Sequence, residues 1–508
     1  MIKPDCTVKK EILSQKEFLF SVVVPVFNTE RYVAEAIESV IGQDIGFERN
    51  VQLILVNDGS TDGSARICRE YADRYPGNIV LIDKENGGVG SARNEGLKYV
   101  RGRYVNFLDS DDTWESDAFA RVQAFFEENP RVRIAACRIA QFGKWNGFHA
   151  LDYKFKKTKV VNIFKDWRFP QLSMASTFMR SDLLYPGVFS SLKWSEDFAV
   201  IVPLIAREGV YGVIREAQYN ARRRDDDSSA TESSTQDPDY YRDPLIRAYE
   251  HVFEESRKLF GYVPRFTQFA VMYDIQWRLK ARQPLGILGP ADLEWYEAEI
   301  RHLLSFVKDQ VIWAQKHLTA HFKLYVMGFK RGISYEEAQQ LLIPKGKNRY
   351  TLGESSFVRP KRERLISLDL IEPVNGALRF RGRLLKTVAP FGQMSLVAKL
   401  GGKEYPATFF YRKDISQGGF WGDDLCAVTG FEVLVPANKK GLLSFELDLF
   451  GSKKKAELQY GEFAGLSALL SANVWTRAGS TLLCTRKGDR ILVLPDPTNT
   501  ELALKELS

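Results

Sequence analysis

The segment Leu108-Asp109-Ser110-Asp111-Asp112 follows directly on an apolar run. Two carboxylates one residue apart, on a turn at a strand end, can share one divalent cation, which can also take oxygens from a diphosphate. Mg²⁺ or Mn²⁺ is the expected type, because hard cations prefer oxygen ligands. In isolation the same acids could be a solvated turn capping the next helix, so the neighbouring segments decide. Lys193-Trp194-Ser195-Glu196-Asp197 sets a second acidic pair before an apolar, periodic stretch from Phe198 to Ala206. A carboxylate beside an alcohol can take its proton as the oxygen attacks; a capped helix start is the competing use. Asn86-Gly87-Gly88-Val89-Gly90-Ser91-Ala92-Arg93-Asn94 joins glycines that permit close backbone approach to a cation.

Strands and helices must bring these segments together. Apolar β-rich runs occur at Phe20 to Val24, Val51 to Val56, Ile79 to Ile82 and Tyr104 to Leu108. Between them, residues 30–42, 62–75 and 89–100 carry helical spacing. Continuous apolar strands alternating with amphipathic helices predict a mainly parallel α/β sheet covered on both faces. The polar clusters at 25–28, 57–62 and 109–112 all follow strands. They therefore converge at the edge where open α/β sheets bind ligands.

The motifs Val22-Val23-Val24-Pro25-Val26-Phe27-Asn28, Val56-Asn57-Asp58-Gly59-Ser60-Thr61-Asp62, Asn86-Gly87-Gly88 through Arg93, Asp109-Ser110-Asp111 and Glu196-Asp197 occur in that order. Over about residues 18–225 the chain resembles the inverting family 2 glycosyltransferases of the GT-A fold, a Rossmann-like nucleotide-sugar-binding architecture. The resemblance implies a UDP-sugar donor, a Mn²⁺ or Mg²⁺ cofactor and a carbohydrate or polyol-phosphate polymer as acceptor.

It also implies roles. Pro25, Phe27 and Asn28 border the base, and Phe27 offers it a ring face. Asp58 accepts from the uracil imide; capping a helix near Asp62 is its alternative. Asn86, Gly87 and Gly88 close over the nucleoside. Arg93 reaches the donor phosphates or the carboxylate cluster. Asp109 and Asp111 are the metal carboxylates, Asp111 the direct ligand and Asp109 nearer the ribose or the metal's water shell. Asp112 is free to cap the helix from about 115. Asp197 is the general base beside Glu196, and Trp194 is either a platform for an acceptor sugar or core. Arg223, Arg224, Ser228 and Ser229 are candidates to fold over the diphosphate. A downstream histidine ligand, which some GT-A enzymes use, has no counterpart in that loop, leaving Asp225, Asp226, Asp227 or water. His317 and His321, four apart on a probable helix, fit packing better than a metal pair.

The 508 residues carry a net charge of +7, a modest balance that suits anionic ligands or an acidic membrane surface. No aromatic-and-basic signature of a nucleic-acid module is present. Five scattered cysteines without Cys-x-x-Cys spacing fit free thiols in a reducing compartment. No secretory leader and no run of about 18 apolar residues appears. The expectation is a cytoplasmic protein with room for peripheral contact at the inner face of the membrane. Residues 222–239 read as a mobile polar loop, 240–343 as largely helical and 344–364 as a basic linker. From about 365, short alternating segments with turns such as Asn375-Gly376 predict an immunoglobulin-like β-sandwich. The expected domains are 1–235, a helical segment 236–345 and a β-sandwich 346–508. Appended β domains of this kind accompany bacterial glycosyltransferases of teichoic-acid-like and capsular polymers. By that fold-level analogy the C-terminal region would bind polymer, self-associate into a homo-oligomer or dock a partner.

Three other assignments compete. A nucleotidylyltransferase would need a glycine-rich triphosphate loop where Pro25-Val26-Phe27-Asn28 stands. A processive membrane synthase would need membrane spans. A carbohydrate-binding or scaffolding protein with an inactive transferase domain would not need the acids at 109, 111 and 197.

Overall fold

The computed structural model describes residues 17–225, 236–280, 287–416, 427–460, 475–478, 481–486 and 490–495. The chain forms two compact units, one of Met1–Ile275 with Gln283–Val307 and one of Gln276–Arg282 with Lys308–Ser508. The helical stretch is thus divided between them.

The first unit alternates β1 (Phe18–Val26), α1 (Val33–Ile41), β2 (Val51–Asp58), α2 (Ser64–Arg74), β3 (Ile79–Lys84), α3 (Val89–Leu97) and β4 (Gly102–Phe107). There follow β5 (Thr113–Trp114), α4 (Ala118–Glu128), β6 (Ile134–Gly143), β7 (Thr177–Arg180), α5 (Glu196–Glu208) and β8 (Val210–Arg223). These strands lie in one sheet in the order β3-β2-β1-β4-β7-β6-β8-β5. The β3-β2-β1-β4 half is parallel throughout. β2 is buried at every position, as a central strand covered on both faces must be. In α1, Val33, Ala36, Ile37 and Val40 are buried, the stripe a 3.6-residue period lays toward a sheet.

α3 approaches this sheet closely through Gly96. A Cβ there would collide with Val23 Cγ1 and stand 3.3 Å from Val56 Cγ2. Gly96→Ala should cost about 1–3 kcal/mol by overpacking, read as a lower urea midpoint with an unchanged slope.

Beyond β4 the sheet departs from parallel order, because β7 inserts antiparallel between β4 and β6. β8 runs on through Arg223, paired with β6 as far as Gly143. Arg222 and Arg223, expected in a polar loop, are therefore strand residues. Glu250–Phe260 (α6) packs on α5, with Phe198 edge-on to Tyr249 at 5.3 Å.

In the second unit, residues 344–364 correct the linker expectation. Leu342–Lys345, Arg349–Leu352 and Ser355–Val358 form a three-stranded antiparallel sheet. Leu342, Tyr350, Leu352 and Phe357 bury on one face, a period-2 pattern hidden among the basic residues. Further on, one sheet of five strands orders Thr408–Ser416, Ala427–Pro436, Ala377–Leu384, Leu365–Val374 and Glu457–Tyr460. A second has seven strands, with Met394–Leu400 and Gly441–Leu449 paired inside it. Leu368, Phe380 and Val433 of the first sheet meet Leu396, Phe445, Leu447 and Val493 of the second in one core. Phe409 packs partly buried against that core. Among the described residues, no helix is long and apolar enough to cross a membrane.

Candidate active site

Two loops at the carboxyl ends of β1 and β2 lock together first. Asn28 takes a positive φ of 51°, a conformation asparagine tolerates better than most residues. Its Oδ1 accepts from Thr61 N at 2.8 Å, and its own N donates to Ser60 Oγ at 3.2 Å. Pro25 is half-buried in β1, while Phe27 is 49% exposed. Asp58 is buried at the end of β2. Its carboxylate accepts from Gly87 N at 3.0 Å, Gly88 N at 2.8 Å and Lys84 Nζ. Asp58 thus fastens the Asn86-Gly87-Gly88 loop and does not cap a helix; Asp62 Oδ1 accepts from Ser64 N at the start of α2. A Cβ on Gly59 would stand 2.9 Å from Asn86 N, so the two loops need that glycine to meet.

Gly88 leads into α3, and α3 carries Arg93, which is 2% exposed. Its guanidinium donates to Glu196 Oε1 at 2.9 Å, to Asp197 Oδ1, and to Asp109 Oδ1 at 3.2 Å. Phe107 and Phe189 flank it, with ring centroids 5.9 and 5.5 Å from Cζ. Arg93 thus contacts the carboxylate cluster directly. Ser195, immediately before them, has a φ of 64°. Such left-handed geometry costs energy in a non-glycine residue and is held only by surrounding structure. Asp197 Oδ2 also accepts from Met174 N at 2.8 Å, which fixes the direction of its carboxylate.

The acids outnumber the cation, and their proton affinities respond. Desolvation, with Asp197 and Asp111 adding to it against Arg93, raises the proton affinity of Asp109 although its side chain keeps 42% exposure. Burial and Asp197 raise Glu196 to about 7, with Arg93 opposing. For Arg93, burial disfavours the charge, and Asp197, Asp109 and Glu196 more than offset it. An unfolded glutamate titrates near ~4.3, so around pH 6 the folded chain holds a proton on Glu196 that the unfolded chain lacks. Its contribution to stability is present at low pH and lost as pH rises through about 7. Glu196→Gln removes that dependence. The variant-minus-wild-type melting temperature, followed in EDTA, should grow more positive from pH 5.5 to pH 8.

Asp111 and Asp112 turn the other way, toward β8. Asp111 Oδ2 accepts from Arg224 Nε at 2.9 Å and Nη2 at 2.7 Å. Asp112 accepts from Tyr219 Oη at 2.6 Å and from Arg222 N at 2.7 Å. Asp112 is therefore not a cap: α4 begins at Ala118, and this carboxylate instead ties the turn after β4 to β8. Thr29 Oγ1 donates to Ser110 Oγ at 3.0 Å, linking the same turn to the loop after β1. Thr29, Ser110, Met174, Phe189 and Tyr219 had no local sequence signal, since their types are common and their partners lie far along the chain.

Asp109 and Asp111 suit a hard divalent cation. Both are oxygen donors, and partial desolvation with the neighbouring acids Asp197 and Asp111 raises the proton affinity of Asp109, a site where added positive charge is favourable. Among the described residues, the group of three metal-type side chains whose ligand atoms lie within 4.8 Å is elsewhere, at Glu250, Glu299 and His302. His321 is buried, with Nδ1 2.6 Å from Tyr335 Oη, and burial lowers it to about 4. His317 lies against Trp277 at 5.4 Å. The pair is a packing feature.

Trp194 is half-buried and fastened: its Nε1 donates to Asp237 Oδ2 at 3.3 Å and its ring meets Tyr240 edge-on at 5.9 Å. Ser228, Ser229, Asp226 and Asp227 lie outside the described residues. Of the remaining expected site residues, Arg93 sits within α3, and Pro25, Phe27, Asn28, Asp58, Asn86, Gly87, Asp109, Asp111, Glu196, Asp197 and Arg224 sit on the loops and element ends just described.

Residues 21–184, which hold all of these strand-end motifs up to Asp111, match the model of glycosyl transferase family 2. Residues 21–184 belong to that family. The chain is 33% identical over 464 residues to the minor teichoic acid biosynthesis protein GgaB of Bacillus subtilis (strain 168), covering 88% of this chain and 50% of that protein. It is 25% identical over 343 residues to a poly(ribitol-phosphate) beta-glucosyltransferase of Bacillus spizizenii, covering 64% of this chain and 51% of that protein. The chain thus spans about half the length of these relatives. Among solved structures, S. aureus TarS superposes with a TM-score of 0.54 at 15% identity, covering 95% of this chain and 86% of TarS. That likeness is one of fold, and the family 2 domain is a GT-A-type α/β domain.

Proposed function

We propose that the chain is an inverting glycosyltransferase that moves a sugar from a UDP-sugar to a hydroxyl of a cell-surface polysaccharide or its precursor. The observation that carries this reading is the convergence of Asp109, which follows the carboxyl end of β4, with Glu196 and Asp197 on one buried arginine. Relatives named for teichoic acid and poly(ribitol-phosphate) support an acceptor of polyol-phosphate type.

In this reading Pro25, Phe27 and Asn28 border the base, with the exposed ring of Phe27 against its face. Asp58 orders the Asn86-Gly87 loop over the nucleoside and meets the uracil imide through its remaining acceptor capacity. Asp111, with Asp109 beside it, would hold Mn²⁺ or Mg²⁺; when bound, such an ion offsets charge on the leaving diphosphate. Asp197 takes the acceptor hydroxyl's proton while the new C–O bond forms at the anomeric carbon and the bond to the diphosphate oxygen breaks. One base and one in-line displacement invert the centre, and no second nucleophilic carboxylate is needed. Arg93 holds Asp197 and Glu196 in position. Arg224 approaches the diphosphate, and Trp194 borders the acceptor. Catalysis is assigned to residues 1–235, with 236–345 and the immunoglobulin-like 346–508 supporting it at the inner face of the membrane.

The test is a panel of UDP-sugars with a polyol-phosphate acceptor, with and without Mn²⁺, following UDP release. Acceptor-dependent, metal-dependent release is expected from at least one donor. Asp111→Ala should weaken Mn²⁺-dependent donor binding by about tenfold or more. Release that ignores both metal and acceptor would overturn the assignment.

A further inference from the structure

The basic stretch once expected to be a linker builds a cleft. A cavity of about 790 Å³ opens between the turn at Pro344 to Asn348, the segment Val358 to Arg364 and the segment Phe450 to Glu457. Seven lysine and arginine side chains line it against two glutamates. Its walls are tied together: Arg359 N donates to Asn348 O at 2.9 Å, Glu457 N to Arg364 O at 3.1 Å, and Arg364 Nη2 to Ser452 O at 2.7 Å. Both glutamates are already engaged. Glu363 is buried and accepts from Tyr350 Oη at 2.5 Å, and Glu457 pairs with Arg362 at 2.5 Å. Lys347, Lys361 and Lys454 are exposed. No carboxylate pairs with them among the described residues.

We propose that this cleft binds the phosphodiester backbone of an anionic polyol-phosphate polymer, as an acceptor-holding site within the second unit. The proposal rests on the transferase reading for the polymer's identity, while the cleft itself argues for the charge. Several unpaired cations along a concave wall match a ligand carrying regularly repeated negative charge, and releasing its counterions drives binding. Single-stranded nucleic acid fits less well, because base stacking needs aromatic platforms and Phe450 is the one ring lining the cleft. A lipid surface fits less well, because the cations face a recess.

The experiment measures binding of a fluorescein-labelled synthetic poly(ribitol phosphate) dodecamer to the full chain by anisotropy, without donor. Lys347→Glu/Lys361→Glu/Lys454→Glu should weaken binding roughly tenfold or more at low salt, and the wild-type affinity should fall steeply as salt rises. Acceptor-independent UDP-sugar hydrolysis and the melting temperature should stay at wild-type values. If the triple reversal melts early, Lys361→Gln/Lys454→Gln replaces it, with a loss of about threefold expected. Unchanged dodecamer binding in either folded variant overturns the proposal. So does wild-type preference for phosphatidylglycerol vesicles or for single-stranded DNA of equal charge. A chain that binds the dodecamer through these lysines yet turns over no donor would sink the transferase reading and leave the cleft standing.

Discussion

Asp197→Asn should reduce sugar transfer by roughly 10²–10⁴-fold, the contribution a positioned general base makes, while UDP binding stays near wild type. The substitution keeps the side chain's shape and one oxygen for the hydrogen bond from Met174 N, but it cannot accept a proton from an alcohol. The two readouts must separate. UDP affinity from calorimetry should hold while kcat falls. If affinity and kcat fall together, Asp197 shapes the donor site; if neither falls, the base is another group. Glu196 is the nearest alternative, since it shares Arg93, and Glu196→Gln at constant pH distinguishes the two.

Arg93→Ala should remove both stability and activity. The guanidinium is buried and holds three carboxylates from two separate stretches of chain, Asp109 after β4 and the adjacent Glu196 and Asp197. Removing one member of a buried charge group strands the rest, at about 3–5 kcal/mol. Asp109, Glu196 and Asp197 keep 42%, 13% and 21% exposure, so solvent screens part of the loss and about 3 kcal/mol is the better expectation. Urea unfolding measures it. Arg93→Lys keeps the charge but lacks the planar fork that reaches several acceptors at once. It should recover most of the stability and little of the transfer. Full activity in Arg93→Lys would show that charge alone suffices and that orientation of Asp197 does not matter.

The parallel half of the first sheet was legible because each strand there is a continuous apolar run and each helix a 3.6-period stripe. Those signals are local. Where pairing depends on distant chain, local pattern gave less. The insertion of β7 antiparallel beside β4 has no marker in Thr177–Arg180 itself. The last turns of polarity in β8 hid a strand: Arg222 reads as loop, yet its backbone N donates to Asp112 and its guanidinium reaches Glu35 and the carbonyl of Asp111. Asp112 illustrates the same limit. An acid shortly before a helix is a natural cap, and only β8, more than a hundred residues on, shows it tied elsewhere. The carboxylates at 109 and 111 were singled out from their type and spacing, and Asp197 from the family resemblance. The contacts of Arg93 with Asp109, Glu196 and Asp197 were not legible, because carboxylates and phosphates both suit a guanidinium. Residues 344–364 were misread as linker because basic side chains on one face masked alternating Leu342, Tyr350, Leu352 and Phe357 on the other.

The account turns on Asp109 and Asp111 facing a donor diphosphate. Crystals grown with UDP and MnCl₂, measured at the manganese absorption edge, test this most directly. The expected anomalous map has a peak on Asp111, with the diphosphate beside it and the uracil between Phe27 and Asp58. A peak only on Glu250, Glu299 and His302, or UDP bound away from Asp58, would contradict it.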